Sequence, residues 1–125
     1  MIEQGENQKA IELLEKTIQE QPKNMAAREL LGDIYFACEL YKLARRQYRY
    51  IFNHRRHAVE VALKLAQVYM CIPKTLIQAY KVLQRTILYN PDHLTALLRF
   101  ANFCRVLIRQ GQDSKPPQDV EQLRH

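Results

Sequence analysis

Leu31-Gly32-Asp33-Ile34-Tyr35, followed by Ala44 and then Tyr48, is the stretch from which the fold of this chain is read. Two helical patterns fill the surrounding segment, one from about residue 26 to 38 and one from about 43 to 52, with Glu39-Leu40-Tyr41 between them. Gly32 lies in the middle of the first pattern. A glycine there costs about 1 kcal/mol relative to alanine, so its place answers to a packing need. Ala44 has the same part in the second pattern, and Leu31, Ile34, Tyr35, Tyr48 and Ile51 fill the space around these close approaches. Met25 to Arg56 therefore reads as a helical hairpin with a coded interior.

The same anchors return on both sides. Upstream, residues 7–20 are amphipathic, and Ala10, Leu14 and Pro22 stand 34 residues before Ala44, Tyr48 and Arg56. Downstream, Leu65, Ala66 and Tyr69 stand 34 residues after Leu31, Gly32 and Tyr35. The helix expected over Thr75 to Tyr89 is displaced by one residue, because Ala79, Leu83 and Pro91 lie 69 residues after Ala10, Leu14 and Pro22. The extra residue falls in the Cys71-Ile72-Pro73-Lys74 turn, where proline cannot continue a helix. A last helix is expected from Leu94 to about Gln110, with Phe100, Ala101 and Cys104 in the slots of Leu31, Gly32 and Tyr35, and Gly111 as its stop. Residues 112–117 have linker composition. The expectation is six helices and no sheet.

This spacing resembles the tetratricopeptide repeat, whose pattern is an aromatic, two residues, Leu-Gly, two residues, Tyr, then Ala, three residues, an aromatic and a closing proline. Arg28 stands in place of the first aromatic and Arg56 in place of the proline. The resemblance covers about residues 6 to 110, two complete units flanked by two halves. It implies an all-α, right-handed solenoid of antiparallel helix pairs over residues 1–110, with 111–125 as a linker or short tail. It also implies a non-catalytic scaffold or adaptor for a protein or peptide, with first helices lining a concave groove and second helices forming the convex outside. Incomplete terminal repeats would leave apolar residues uncovered, Ile11, Ile18, Val106 and Leu107 among them, and so favour self-association or coverage by residues 112–125.

With 125 residues, 47% of them apolar and 26% charged, the chain has the composition of a globular domain. No run of 18 apolar residues occurs, and Met1 to Gly5 has neither a basic start nor an apolar segment, so a cytoplasmic location is the expectation. Three glycines cannot build a phosphate loop, and no nucleophile elbow occurs, so neither a catalytic residue nor a cofactor is expected. Cys38, Cys71 and Cys104 drift against the repeat anchors, and with no Cys-x-x-Cys they read as small apolar helix residues. His54 and His57 flank two arginines that would repel a cation, so no metal site is expected there or at His93.

Charge is uneven, −4 over residues 1–39 against +10 over residues 40–125. Lys42, Arg45, Arg46 and Arg49, continued by Arg55 and Arg56, form a basic ridge on the face opposite Ala44 and Tyr48. The ridge supplies an alternative function, attraction to acidic protein, lipid headgroups or nucleic acid. On the first helices, the face opposite Leu31, Ile34 and Tyr35 aligns three rows: Glu29, Leu63 and Leu98; Asp33, Gln67 and Asn102; Phe36, Met70 and Arg105. The apolar members read as anchors for a peptide or helix, spare to packing within a repeat. Its basic end would face Glu29, Asp33 and Glu60, and its acidic end Arg105.

Overall fold

The computed structural model describes residues 2–55 and 58–114. Six helices make up the fold: α1 (Ile2–Glu20), α2 (Met25–Ala37), α3 (Tyr41–His54), α4 (Val59–Cys71), α5 (Leu76–Tyr89) and α6 (Leu94–Ser114). No strand occurs among the described residues. Each helix packs on the next in the chain, and α4 also meets α6, so first helices α2, α4 and α6 form one layer and α1, α3 and α5 the other. The outcome is the helical-repeat solenoid that the 34-residue register calls for.

Small residues set the depth of the packing. Ala44, Ala62 and Ala79 are wholly buried, and Gly32 lies against the Tyr48 ring. The start of α2 is fixed by Asn24, whose side chain accepts from the Ala27 N–H at 3.0 Å. Its end is fixed by a Schellman motif, with the Leu40 N–H on the Tyr35 carbonyl at 2.8 Å and the Glu39 N–H on the Phe36 carbonyl at 3.0 Å. The motif needs a left-handed residue, and Glu39 supplies it at φ 63°. Glycine would adopt this conformation without cost.

The far end of the stack departs from expectation in two respects. First, α6 runs through Gly111 to Ser114. A glycine stops a helix by turning left-handed, and none of the described glycines has positive φ. Second, register holds but burial does not follow it. Ala96 and Phe103 are buried, and Phe100 is half-buried with its ring 5.5 Å from that of Tyr80. Ala101, in the Gly32 slot, is exposed, because no second helix among the described residues covers it.

The apolar residues expected to be bare at the ends are mostly covered. Ile11 is buried, Ile18 and Leu107 pack on the core, and Val106 is half-buried. The α1 stripe turns towards α2, which leaves Leu13 exposed instead, at 66%. At the other end the exposed residues are Leu94, Leu97, Leu98 and Ile108. No helix among the described residues is long and apolar enough to cross a membrane.

Candidate partner-binding groove

Because the three first helices lie side by side, the i, i+3, i+4 spacing of each brings one row of side chains to a shared inner surface. Two clefts open there. The first, of about 280 Å³, is walled by Asp33 and Phe36 of α2 and by Lys64 and Gln67 of α4, over Tyr48 of α3. The second, of about 230 Å³, is walled by Leu63, Gln67 and Met70 of α4 and by Arg99, Asn102, Phe103 and Val106 of α6, with Leu83 of α5 contributing from the other layer. Gln67 borders both, so the clefts form one continuous groove with a polar half and a mainly apolar half.

Ion pairing governs the polar half. The Lys64 ammonium lies 2.7 Å from a Glu29 carboxylate oxygen and 3.0 Å from Asp33 Oδ1, which ties α4 to α2 across the repeat boundary. Burial alone would lower the Lys64 pKa, yet its hydrogen bonds to Glu29 and Asp33 outweigh that and hold it above the ordinary lysine value. Tyr48 donates its hydroxyl proton to the same Asp33 carboxylate. Burial, and then this bond, push the Tyr48 pKa upward. Two of the three carboxylates expected to face a basic peptide end, Glu29 and Asp33, are therefore already paired with a cation of this chain.

Of the residues expected in the groove, Asp33, Phe36, Leu63, Gln67, Met70 and Asn102 line it, and Glu29 reaches it through Lys64. Glu60, Leu98 and Arg105 are exposed and border neither cleft. Two of the apolar anchors are not spare to packing. Phe36 holds Tyr41 of its own hairpin at a ring-centroid distance of 5.4 Å, and Leu63 packs on the core. Met70, 42% exposed, is the anchor left free on the groove wall. The sequence reading passes over Lys64 and Arg99, although with Leu30 they form a fourth row at the same spacing, one residue beyond Glu29, Leu63 and Leu98.

On the outer layer, Lys42, Arg46, Arg49 and Arg55 are exposed and Arg45 is half-buried, while Arg56 lies outside the described residues, as does His57. Arg49 is more than a solvated charge: its Nε and one Nη donate to the Tyr69 hydroxyl at 3.1 and 2.9 Å. One repeat earlier the corresponding tyrosine, Tyr35, donates to Glu15 at 2.6 Å, and burial followed by that bond pushes it up to about 12. Arg28, in the slot of the missing aromatic, lies 3.6 Å over the Tyr50 ring and donates to Gln47, so a cation–π contact takes the place of a ring-on-ring one. His54 stacks on the same ring at a centroid distance of 4.2 Å.

No curated protein matches the chain. A family model described as Tetratricopeptide repeat matches residues 1–68, more than half of its length. With six helices in the 34-residue register, and the first helices gathered on one inner surface, the chain belongs to the tetratricopeptide repeat family.

Proposed function

We propose that the groove along α2, α4 and α6 binds a short segment of a partner protein, and that the chain serves as a scaffold or adaptor. Tetratricopeptide repeats generally mediate protein–protein interaction and are typically non-catalytic. The observation that carries the proposal is the second cleft, in which Leu63, Met70, Phe103 and Val106 surround a volume of about 230 Å³ with Arg99 and Asn102 on one wall. An apolar side chain of the partner fills the cleft and an acidic group pairs with Arg99. Gln67 and Asn102 offer amides to the partner's backbone on either side of that anchor. Lys64 pairs with both Glu29 and Asp33 and offsets one of their two charges, so the polar half attracts a basic end less than two free carboxylates would.

The test is selection of peptides against the intact chain, followed by titration of the best one into Met70→Ala and Arg99→Gln variants. Each should bind about tenfold more weakly, about 1.4 kcal/mol, with the melting temperature almost unchanged. Equal affinity in both variants would count against the groove.

A second reading concerns assembly and rests on the exposed Leu94, Leu97 and Ile108 of α6. This is the type of face that α3 and α5 cover on α2 and α4, while α1 is a second helix with Leu13 exposed. We infer that two copies join end to end, α1 of one on α6 of the other, completing a repeat at the junction. Sedimentation at rising concentration tests this. A profile that stays monomeric would remove it.

A further inference from the structure

The outer layer carries a cleft that partner capture in the groove does not use. Between α3 and α5 a volume of about 200 Å³ is walled by Arg49, Phe52 and Asn53 on one side and by Gln78, Lys81, Val82 and Arg85 on the other, over Leu65 and Tyr69 of α4. Three cations border it and no carboxylate does. Neither α3 nor α5 contains a single Asp or Glu, so nothing on the two walls competes for those cations.

Comparison with the preceding repeat shows that this charge is not dictated by the fold. At the equivalent positions between α1 and α3, 34 or 35 residues earlier, Arg49 becomes Glu15, Lys81 becomes Arg46 and Arg85 becomes Tyr50. There one acid balances one base, and Tyr50 is taken up by Arg28 and His54. Of these two outer positions, the α3–α5 cleft is the one that gathers positive charge with no acid beside it.

The Arg49 guanidinium is also fixed before any ligand arrives. Tyr69, buried among the core residues, accepts from Nε and one Nη, which leaves the second Nη of the fork as a further donor beside the cleft. A planar guanidinium held in place suits the oxygens of a phosphoryl group, and ordering it beforehand lowers the entropic cost of binding. The amides of Asn53 and Gln78 add neutral donors at the rim.

We propose that the α3–α5 cleft is a binding site for a compact polyphosphate group, with Arg49 facing Lys81 and Arg85 across it. The group is either a free polyphosphate or the headgroup of a phosphorylated lipid. It is confined to a cleft between two helices, which separates it from a diffuse attraction to the whole basic ridge.

Calorimetric titration of the intact chain with sodium tripolyphosphate at low salt tests the site. Saturable binding is expected, about tenfold weaker in a Lys81→Gln, Arg85→Gln double variant. A Lys42→Gln, Arg46→Gln double variant removes the same charge elsewhere on the outer layer and should bind within about twofold of the unaltered chain. Circular dichroism of each variant confirms its fold, and Arg49→Met provides an independent loss from the opposite wall. Co-sedimentation with phosphatidylcholine vesicles containing a phosphatidylinositol bisphosphate assigns the group to a lipid if it requires Lys81 and Arg85. Tripolyphosphate binding without co-sedimentation assigns it to a free anion. Absence of saturable binding, or equal loss in both double variants, would overturn the site.

Discussion

A Cβ built on Gly32 would stand 2.7 Å from Cε1 of Tyr48, closer than two carbon atoms can approach. Neither partner can give way easily, since the Tyr48 ring is 2% exposed and its hydroxyl is tied to Asp33. Gly32→Ala gains about 1 kcal/mol of helix propensity but forces overpacking that costs about 1–3 kcal/mol. A net loss of stability is expected, read as a lower melting temperature. In a Tyr48→Leu background, Gly32→Ala should cost less than it does in the unaltered chain, because the rigid ring is gone.

Alkali should weaken the fold from about pH 10 upward. Tyr35, raised to about 12, and Tyr48, raised further, stay protonated in the folded chain while their unfolded counterparts ionise near 10.0. Lys64, also raised, holds its charge longer folded than unfolded. For all three the folded pKa lies above the unfolded one, so their stabilisation is complete below the unfolded pKa and is lost as pH rises through the folded one. Melting temperature followed from pH 7 to 12 should stay level and then fall, and Tyr48→Phe should make the fall shallower.

The left-handed Glu39 offers a stabilising substitution. At φ 63° an L side chain costs about 1–2 kcal/mol, part of which glycine returns as greater freedom of the unfolded chain. Glu39→Gly should raise stability by about 0.5–1 kcal/mol, measured by thermal or urea unfolding. A fall would mean that the Glu39 side chain contributes more than its backbone conformation costs.

Arg49 should behave differently from its neighbours on the ridge. Reversing Arg46 to Glu alters an exposed charge and should move stability by less than about 1 kcal/mol. Replacing Arg49 by Met, which offers no polar group, leaves the Tyr69 hydroxyl without its donor, and losing a hydrogen bond to a charged group costs about 1.5–3 kcal/mol. Glu at this position would instead accept from Tyr69, as Glu15 does from Tyr35. Thermal melts of the two single variants should differ accordingly.

These cases mark how far the sequence reaches. The anchors Leu31, Gly32, Tyr35, Ala44 and Tyr48, and their recurrence, place all six helices, because burial of one stripe per helix is a periodic property. Rows of the groove follow from the same register, and Gln67, Met70 and Asn102 are found that way. What escapes is the reach of long side chains. Lys64 crosses to Glu29 and Asp33, and Arg49 to Tyr69, through rotamers that spacing does not specify. The covering of Phe36 by Tyr41 escapes for a related reason, since it depends on how the chain turns after Glu39.

The central claim is that partner protein is held on the inner surface of the first helices. Amide chemical shifts of the isotope-labelled chain, followed as a selected peptide is added, test it most directly. The account predicts the largest changes at Leu63, Gln67, Met70, Arg99 and Asn102, with Lys81 and Arg85 on the outer layer unmoved. Changes centred on α3 and α5, or on the turn cleft formed by Leu40, Tyr41, Ile72 and Pro73, would contradict it.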